Sequence, residues 1–136
     1  MSKKYSGIVG KRVLITGSSN GIGFAMAKAL LANGAKVLVT GSSEATLAKA
    51  LEKLGAIDTG RLACVLDVKN AQSIQNAVDL MVEKWGGIDI LINNAGIGMA
   101  TLSSEYLIKP LPFYAIDDER KFKAIIDTNL IGYFLA

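Results

Sequence analysis

Thr16 to Gly23 reads TGSSNGIG and follows directly on the apolar run Val13-Leu14-Ile15. Glycines at 17, 21 and 23 mean that something approaches this backbone too closely for side chains. A strand, a glycine-rich turn and a helix, in that order, aim the first N–H groups of the helix at one point. Those donors have no partner inside the helix, and the helix dipole makes the point electropositive. An anion fits there, and a pyrophosphate fits best. On this reading Gly17 allows the sharp turn, Gly21 leaves room for phosphates, and Gly23 lets the helix pack closely on the sheet. Each charge-assisted hydrogen bond to such an anion contributes about 1.5–3 kcal/mol. A glycine triplet alone also serves any tight strand-to-helix turn. Its place behind the first strand and at the head of the first helix is what points to a bound anion.

Outward from this turn, strand and helix signals alternate. Arg12 to Thr16 predicts a buried strand, and Ile22, Met26, Ala29 and Leu30 predict a helix ending at Asn33-Gly34. Lys36 to Thr40 is a second strand. Ser43 precedes a helix with Leu47, Ala50, Leu51 and Leu54 on one face, closed by Gly55. Leu62 to Leu66 is a third strand, and Ile74, Ala77, Val78, Met81, Val82 and Trp85 form a helical stripe stopped by Gly86-Gly87. Ile88 to Ile92 is a fourth strand. Pro110 and Pro112 keep Ile97–Ile116 out of regular structure. Asp117 is expected to cap a last helix carrying Phe122, Ile125, Ile126, Leu130 and Tyr133. Short Val/Ile/Leu-rich strands between amphipathic helices predict an α/β fold, a doubly wound parallel sheet of about four strands.

The 136 residues suit one domain. The net charge of +3 comes from scattered basic residues without a basic stripe, so no nucleic-acid partner is expected. Cys64, within the apolar run LACVL, reads as a structural thiol, and one cysteine cannot form an internal disulfide. The amino-terminal MSKKYSGIVGKR has no apolar signal-peptide core, and no run is long enough to cross a bilayer. A cytoplasmic protein with no membrane partner is expected, and no metal-ligating set is read.

Four motifs in order carry a resemblance. They are Thr16-Gly17-x-x-x-Gly21-x-Gly23, Asp67-Val68 after the third strand, Asn93-Asn94-Ala95-Gly96 after the fourth, and Asn129-Leu130-x-Gly132 within DTNLIGYF. Together they resemble the classical short-chain dehydrogenases/reductases. Sugar-nucleotide epimerases of the extended branch have a shorter glycine spacing. The resemblance implies a Rossmann-like dinucleotide-binding fold, with residues 1–136 as its amino-terminal part. It implies that Gly17, Ser18, Ser19, Asn20, Gly21, Ile22, Gly23, Ser42, Asp67, Val68, Asn94, Ala95 and Gly96 hold the cofactor, Asp67 and Val68 beside its adenine. It also implies that Asn129 is catalytic, supporting a water in a proton relay. Each has a plainer reading: Asp67 as a helix cap, Asn93 and Asn94 as turn formers. Asn129 falls on an apolar stripe, where a buried amide must find partners or cost about 1–3 kcal/mol.

An acid at the end of the second strand would select NAD, whereas Thr40-Gly41-Ser42-Ser43 offers hydroxyls. That favours NADP over NAD. The resemblance further implies Ser, Tyr and Lys partners in catalysis, because a phenol near pKa 10 needs help to act as a base. The spacing Tyr-x-x-x-Lys does not occur, and histidine is absent. The expectation is therefore an NAD(P)-dependent oxidoreductase of small carbonyl or hydroxyl compounds in a complete parent, present here as an incomplete sheet. The alternative is a non-catalytic nucleotide-binding module, or a half-protein needing a complementary chain. Apolar residues of the Ile97–Ile116 loop, Met99, Tyr106 and Phe113 among them, are candidates to line a substrate cleft, or equally to pack the loop onto the sheet or sit at a subunit contact. The 136-residue chain alone is expected to turn over no carbonyl or alcohol substrate, which an assay of NAD(P)H consumption checks. An open edge on IDILI is expected to favour self-association, which sedimentation reads directly.

Overall fold

The computed structural model of the chain describes residues 5–55, 60–96 and 119–132. Four parallel strands form one sheet: β1 (Arg12–Ile15), β2 (Lys36–Gly41), β3 (Arg61–Val65) and β4 (Ile90–Ile92). Between them run α1 (Gly21–Ala32), α2 (Glu44–Leu54) and α3 (Ala71–Trp85), and α4 (Glu119–Ile126) follows β4. The strand order is β3-β2-β1-β4, with Leu14 facing Leu38 on one side and Leu91 on the other. The chain thus steps outward from β1 to β3 and then crosses back to the far side of β1. That reversal opens a crevice at the carboxyl ends of β1 and β4, where ligands bind in sheets of this kind. The architecture is Rossmann-like.

Alternation along the strands separates two cores. Val13 and Ile15, with Val37 and Val39, face Ala27 and Leu31 of α1 and Leu47 and Leu54 of α2. Leu14 and Leu38 face the other way, onto Ile74, Ala77 and Met81 of α3. Every residue of the RVLIT and KVLVT runs beyond the first is therefore buried on one face or the other. The thiol of Cys64 packs against the second core, and burial pushes its pKa up to about 11, which makes it an inert group.

Helix ends follow the sequence signals closely. Ser43 caps α2 by accepting from the Thr46 N–H, and Gly55 ends it. Gly86 ends α3 in the left-handed conformation. Asn70, not Asp67, caps α3, accepting from the N–H groups of Gln72 and Ser73. The fourth strand is shorter than Ile88 to Ile92. Ile88 packs into the second core, and Asp89 turns aside to meet Arg12. The expected cap at Asp117 and the Ile97–Ile116 loop lie outside the described residues, as do Tyr133 and the side chains of Phe122, Ile125 and Leu130.

Arg12 and Asp89 close the end of the sheet opposite the crevice. The carboxylate accepts from the Arg12 backbone N–H at 2.8 Å and from Nε and Nη2 at 2.9 Å each, while Nη1 donates to the Trp85 carbonyl at 3.1 Å. This fork-shaped clamp ties β1 to the turn before β4. The Arg12 guanidinium and N–H hold the Asp89 carboxyl well below the usual carboxylate range. A group depressed in the folded state contributes stability above its unfolded pKa, about 3.9, and that contribution fades as pH falls toward the folded value. Acid unfolding of Asp89→Asn is accordingly expected to be shallower below about pH 4 than that of the parent chain. Identical acid limbs by circular dichroism would remove the clamp from the list of stabilising contacts.

Candidate functional site

The crevice is held open by buried hydroxyls at the ends of two strands. Thr16, fully buried, accepts from the N–H groups of Asn94 and Ala95, both at 3.0 Å. The Asn94 side-chain amide returns the contact, donating to the carbonyls of Thr16 at 3.2 Å and Gly17 at 3.0 Å. Thr40, equally buried, donates its hydroxyl to the Ile15 carbonyl at 2.7 Å and accepts from the Gly17 N–H at 3.1 Å. Ser18 completes the lattice: its hydroxyl accepts from the Thr40 N–H at 2.8 Å and donates to the Ile15 carbonyl at 3.0 Å. The turn after β1 is thus pinned from both neighbouring strands by groups that leave no buried hydroxyl unmatched.

Within that frame the glycines do what the turn requires. Gly17 and Gly21 have φ of +65° and +56°, a region that disfavours side chains. A Cβ on Gly21 would meet nothing within 4 Å, so its face is open to the crevice. Gly23 is different. A Cβ there would lie 2.4 Å from the Asn94 amide nitrogen and 2.5 Å from the Gly17 carbonyl. The close approach that the sequence assigns to helix on sheet is a packing of α1 onto its own preceding turn and onto Asn94.

The amino end of α1 carries no side-chain cap. Asn20 occupies the N-cap position with extended backbone, yet its amide does not turn back to the helix. The ends of α2 and α3 are both capped. The opening N–H groups of α1 therefore face the crevice with the positive end of the helix dipole behind them.

The cavity here has a volume of about 590 Å³, within the range of small-molecule sites. Gly17, Ser19, Asn20, Gly21 and Ile22 of the turn and of α1 line it, with Ser42 from the end of β2. Asp67 and Val68, which follow β3, and Asn94, Ala95 and Gly96, which follow β4, complete the lining. Ser18 and Gly23 lie behind this surface, within the hydrogen-bonded and packed turn. The Asp67 carboxylate accepts from the Lys69 N–H at 3.0 Å and keeps its place on the cavity wall.

Asn129 arrives from the last helical segment. After α4 the backbone widens into a π turn, Asp127–Ile131, closed by the Gly132 N–H donating to the Asp127 carbonyl. Such i→i+5 turns insert an extra residue into a helix and are frequent at functional sites. The turn brings the Asn129 amide oxygen beside Gly96, 3.3 Å from where a Cβ would stand, and buries Thr128 on the cavity wall.

Leu66, Lys69 and Thr128 also line the cavity without having been singled out from sequence, and Thr16 and Thr40 hold it from behind. The two threonines had a legible signal: each is the polar residue ending an apolar parallel strand, on the edge where ligands bind. Lys69 and Thr128 had none, since neither stands out from its neighbours by type or spacing.

Comparison with known proteins agrees with this geometry. A family model for short chain dehydrogenases matches residues 11–136. The chain is 36% identical over 125 residues to a 3-oxoacyl-[acyl-carrier-protein] reductase, FabG, of Vibrio cholerae, covering 92% of this chain and 46% of that protein. It is 32% identical to a 3alpha-hydroxysteroid dehydrogenase of Mediterraneibacter gnavus, over 91% of this chain and 46% of the relative. A 3-ketoacyl-(acyl-carrier-protein) reductase from Brucella melitensis, solved in complex with NADH, superposes with a TM-score of 0.78 at 31% identity over 94% of this chain and 48% of its own. The chain spans about half the length of these relatives. By fold, by motif order and by a family match over nearly all its residues, this chain belongs to the short-chain dehydrogenase/reductase family.

Proposed function

We propose that the chain supplies the nucleotide-holding part of an NAD(P)-dependent oxidoreductase that moves hydride between the cofactor and a carbonyl or hydroxyl carbon of a small molecule. The observation that carries this is the uncapped amino end of α1, opening onto a cavity beside two glycines with positive φ. Donors, dipole and clearance together suit a pyrophosphate, so the residues present fit the group. Gly17 to Gly23 would hold the phosphates through backbone N–H groups, Ser42 the adenosine ribose, and Asp67 and Val68 the adenine. Asn94, Ala95 and Gly96 would support the cofactor from β4. The nicotinamide ring, when bound, supplies or accepts the hydride. Asn129, on a π turn against Gly96, would hold a water of the proton relay.

The family relatives named above act on 3-oxoacyl groups or hydroxysteroids, according to their names. Their common chemistry is a carbonyl/hydroxyl pair at one carbon. For the cofactor, two features favour NADP. No carboxylate stands at Thr40 to Ser43 to repel a ribose phosphate. Lys69 is the one basic residue lining the cavity among the described residues, with Ser42 and its hydroxyl also in the lining. Self-association belongs to the same proposal: among the described residues β4 pairs only with β1, and Leu91 on it is 40% exposed.

Calorimetric titration of the chain with NADPH, NADH and ADP tests the reading. All three are expected to bind. Gly21→Val is expected to abolish binding while the chain stays folded, because valine at positive φ costs on the order of 1–2 kcal/mol and fills the open face. Absence of binding to a folded parent chain would overturn the proposal. NADPH is expected to bind more tightly than NADH, and Lys69→Ala to narrow that ratio about threefold, as an exposed charge pair of up to ~1 kcal/mol allows. A ratio indifferent to Lys69 would remove the role of that side chain, and one reversed in favour of NADH would remove the NADP preference; either leaves the rest intact.

A further inference from the structure

Gly132 has ordinary right-handed helical torsions, so its backbone does not demand glycine. Its surroundings do. A Cβ on Gly132 would lie 2.7 Å from Val68 Cγ2, 2.9 Å from Val68 Cβ and 3.2 Å from the Val68 carbonyl oxygen. Non-bonded carbons sit at about 3.5–4.0 Å, so no methyl fits without displacement. Val68 is buried and forms part of the cavity wall beside Asp67. On the other side, Gly132 closes the π turn that carries Thr128 onto the same cavity and Asn129 onto Gly96. One contact therefore joins the wall after β3 to the segment bearing Asn129.

We infer that Gly132 is a positioning residue: lacking a side chain, it seats the π turn on Val68, so that the Asp67–Val68 wall and Asn129 are placed as one body. The inference rests on the dinucleotide reading above. A methyl at 132 forces one of two displacements. Either Val68 is driven into the cavity, where it takes space from the nucleotide, or the π turn lifts and Asn129 leaves Gly96. A densely packed interior transmits such a displacement rather than absorbing it.

The test uses ADP, which has the adenosine and diphosphate but no nicotinamide. It is titrated into the isotope-labelled full chain while the backbone amide of Val68 and the side-chain amide of Asn129 are followed by NMR. In the parent chain ADP is expected to shift both. In Gly132→Ala the Asn129 response is expected to vanish and ADP binding to weaken about tenfold or more, with melting curves checking the fold. Adding Val68→Ala to that variant removes both γ-carbons, including the one nearest the new methyl, and should restore part of both signals. Should Gly132→Ala fail to fold, Val68→Ala alone reads the same coupling, because it leaves a gap under Gly132. Its expected result is weakened ADP binding, since Val68 lines the cavity, and a reduced Asn129 response at saturating ADP; an undiminished response at saturation overturns the inference. A parent chain with no ADP-induced shift anywhere overturns the dinucleotide reading and this inference with it. Binding that shifts Val68 but not Asn129 in the parent, or a Gly132→Ala chain indistinguishable from it, overturns the inference alone.

Discussion

The crevice depends on how two threonine hydroxyls are used. Thr16 and Thr40 lie at the carboxyl ends of β1 and β2 and are fully buried; Thr40 holds the turn after β1, and Thr16 ties that turn to the end of β4. Because Thr16 gathers the N–H groups of Asn94 and Ala95, the end of β4 is drawn onto the end of β1. Because Thr40 takes the Gly17 N–H, that turn cannot relax toward solvent. A buried donor left without its partner costs about 1–3 kcal/mol, so each of these bonds defends the others. The turn is rigid where it is anchored, and open where Gly21 faces the cavity.

This division of labour explains why the residues between Thr16 and Gly23 differ so much in exposure. Ser18 is buried and serves the lattice, while Ser19 reaches the cavity wall one position later. Gly23 has no side chain because Asn94 and the Gly17 carbonyl occupy its space. Gly21 has none because its φ is positive and its face must stay clear. The same residue type thus answers two unrelated constraints, one of packing and one of access.

The opposite end of the sheet shows the contrast between a structural and a binding arrangement of charge. Arg12 and Asp89 match each other fully, with both carboxylate oxygens accepting and the guanidinium also donating to Trp85. At the crevice the amino end of α1 has no side-chain cap, an arrangement whose donors and dipole suit an anion. The family relationship accounts for that asymmetry, since the bound group in such sheets sits at the carboxyl ends of the strands.

Local sequence determined the elements and their order. Four apolar runs separated by helical stripes were enough for a parallel sheet, because strands buried on both faces must read as continuous Val/Ile/Leu segments. Ser43, Gly55 and Gly86 marked helix ends by chemistry that acts over one turn. The glycine turn and NNAG follow β1 and β4, and the bonds between Thr16, Gly17 and Asn94 bring them together at the crevice. Tertiary structure decided what distance along the chain conceals. It set Thr40 on the turn after β1 and tied Thr16 to the end of β4, turned Asp89 out of the strand toward Arg12, and brought Lys69 and Thr128 onto the cavity. It also widened the helix at Asp127–Ile131 and set Gly132 on Val68. Those outcomes depend on which surfaces meet once the sheet has formed, and a pattern read along one chain carries no record of that meeting.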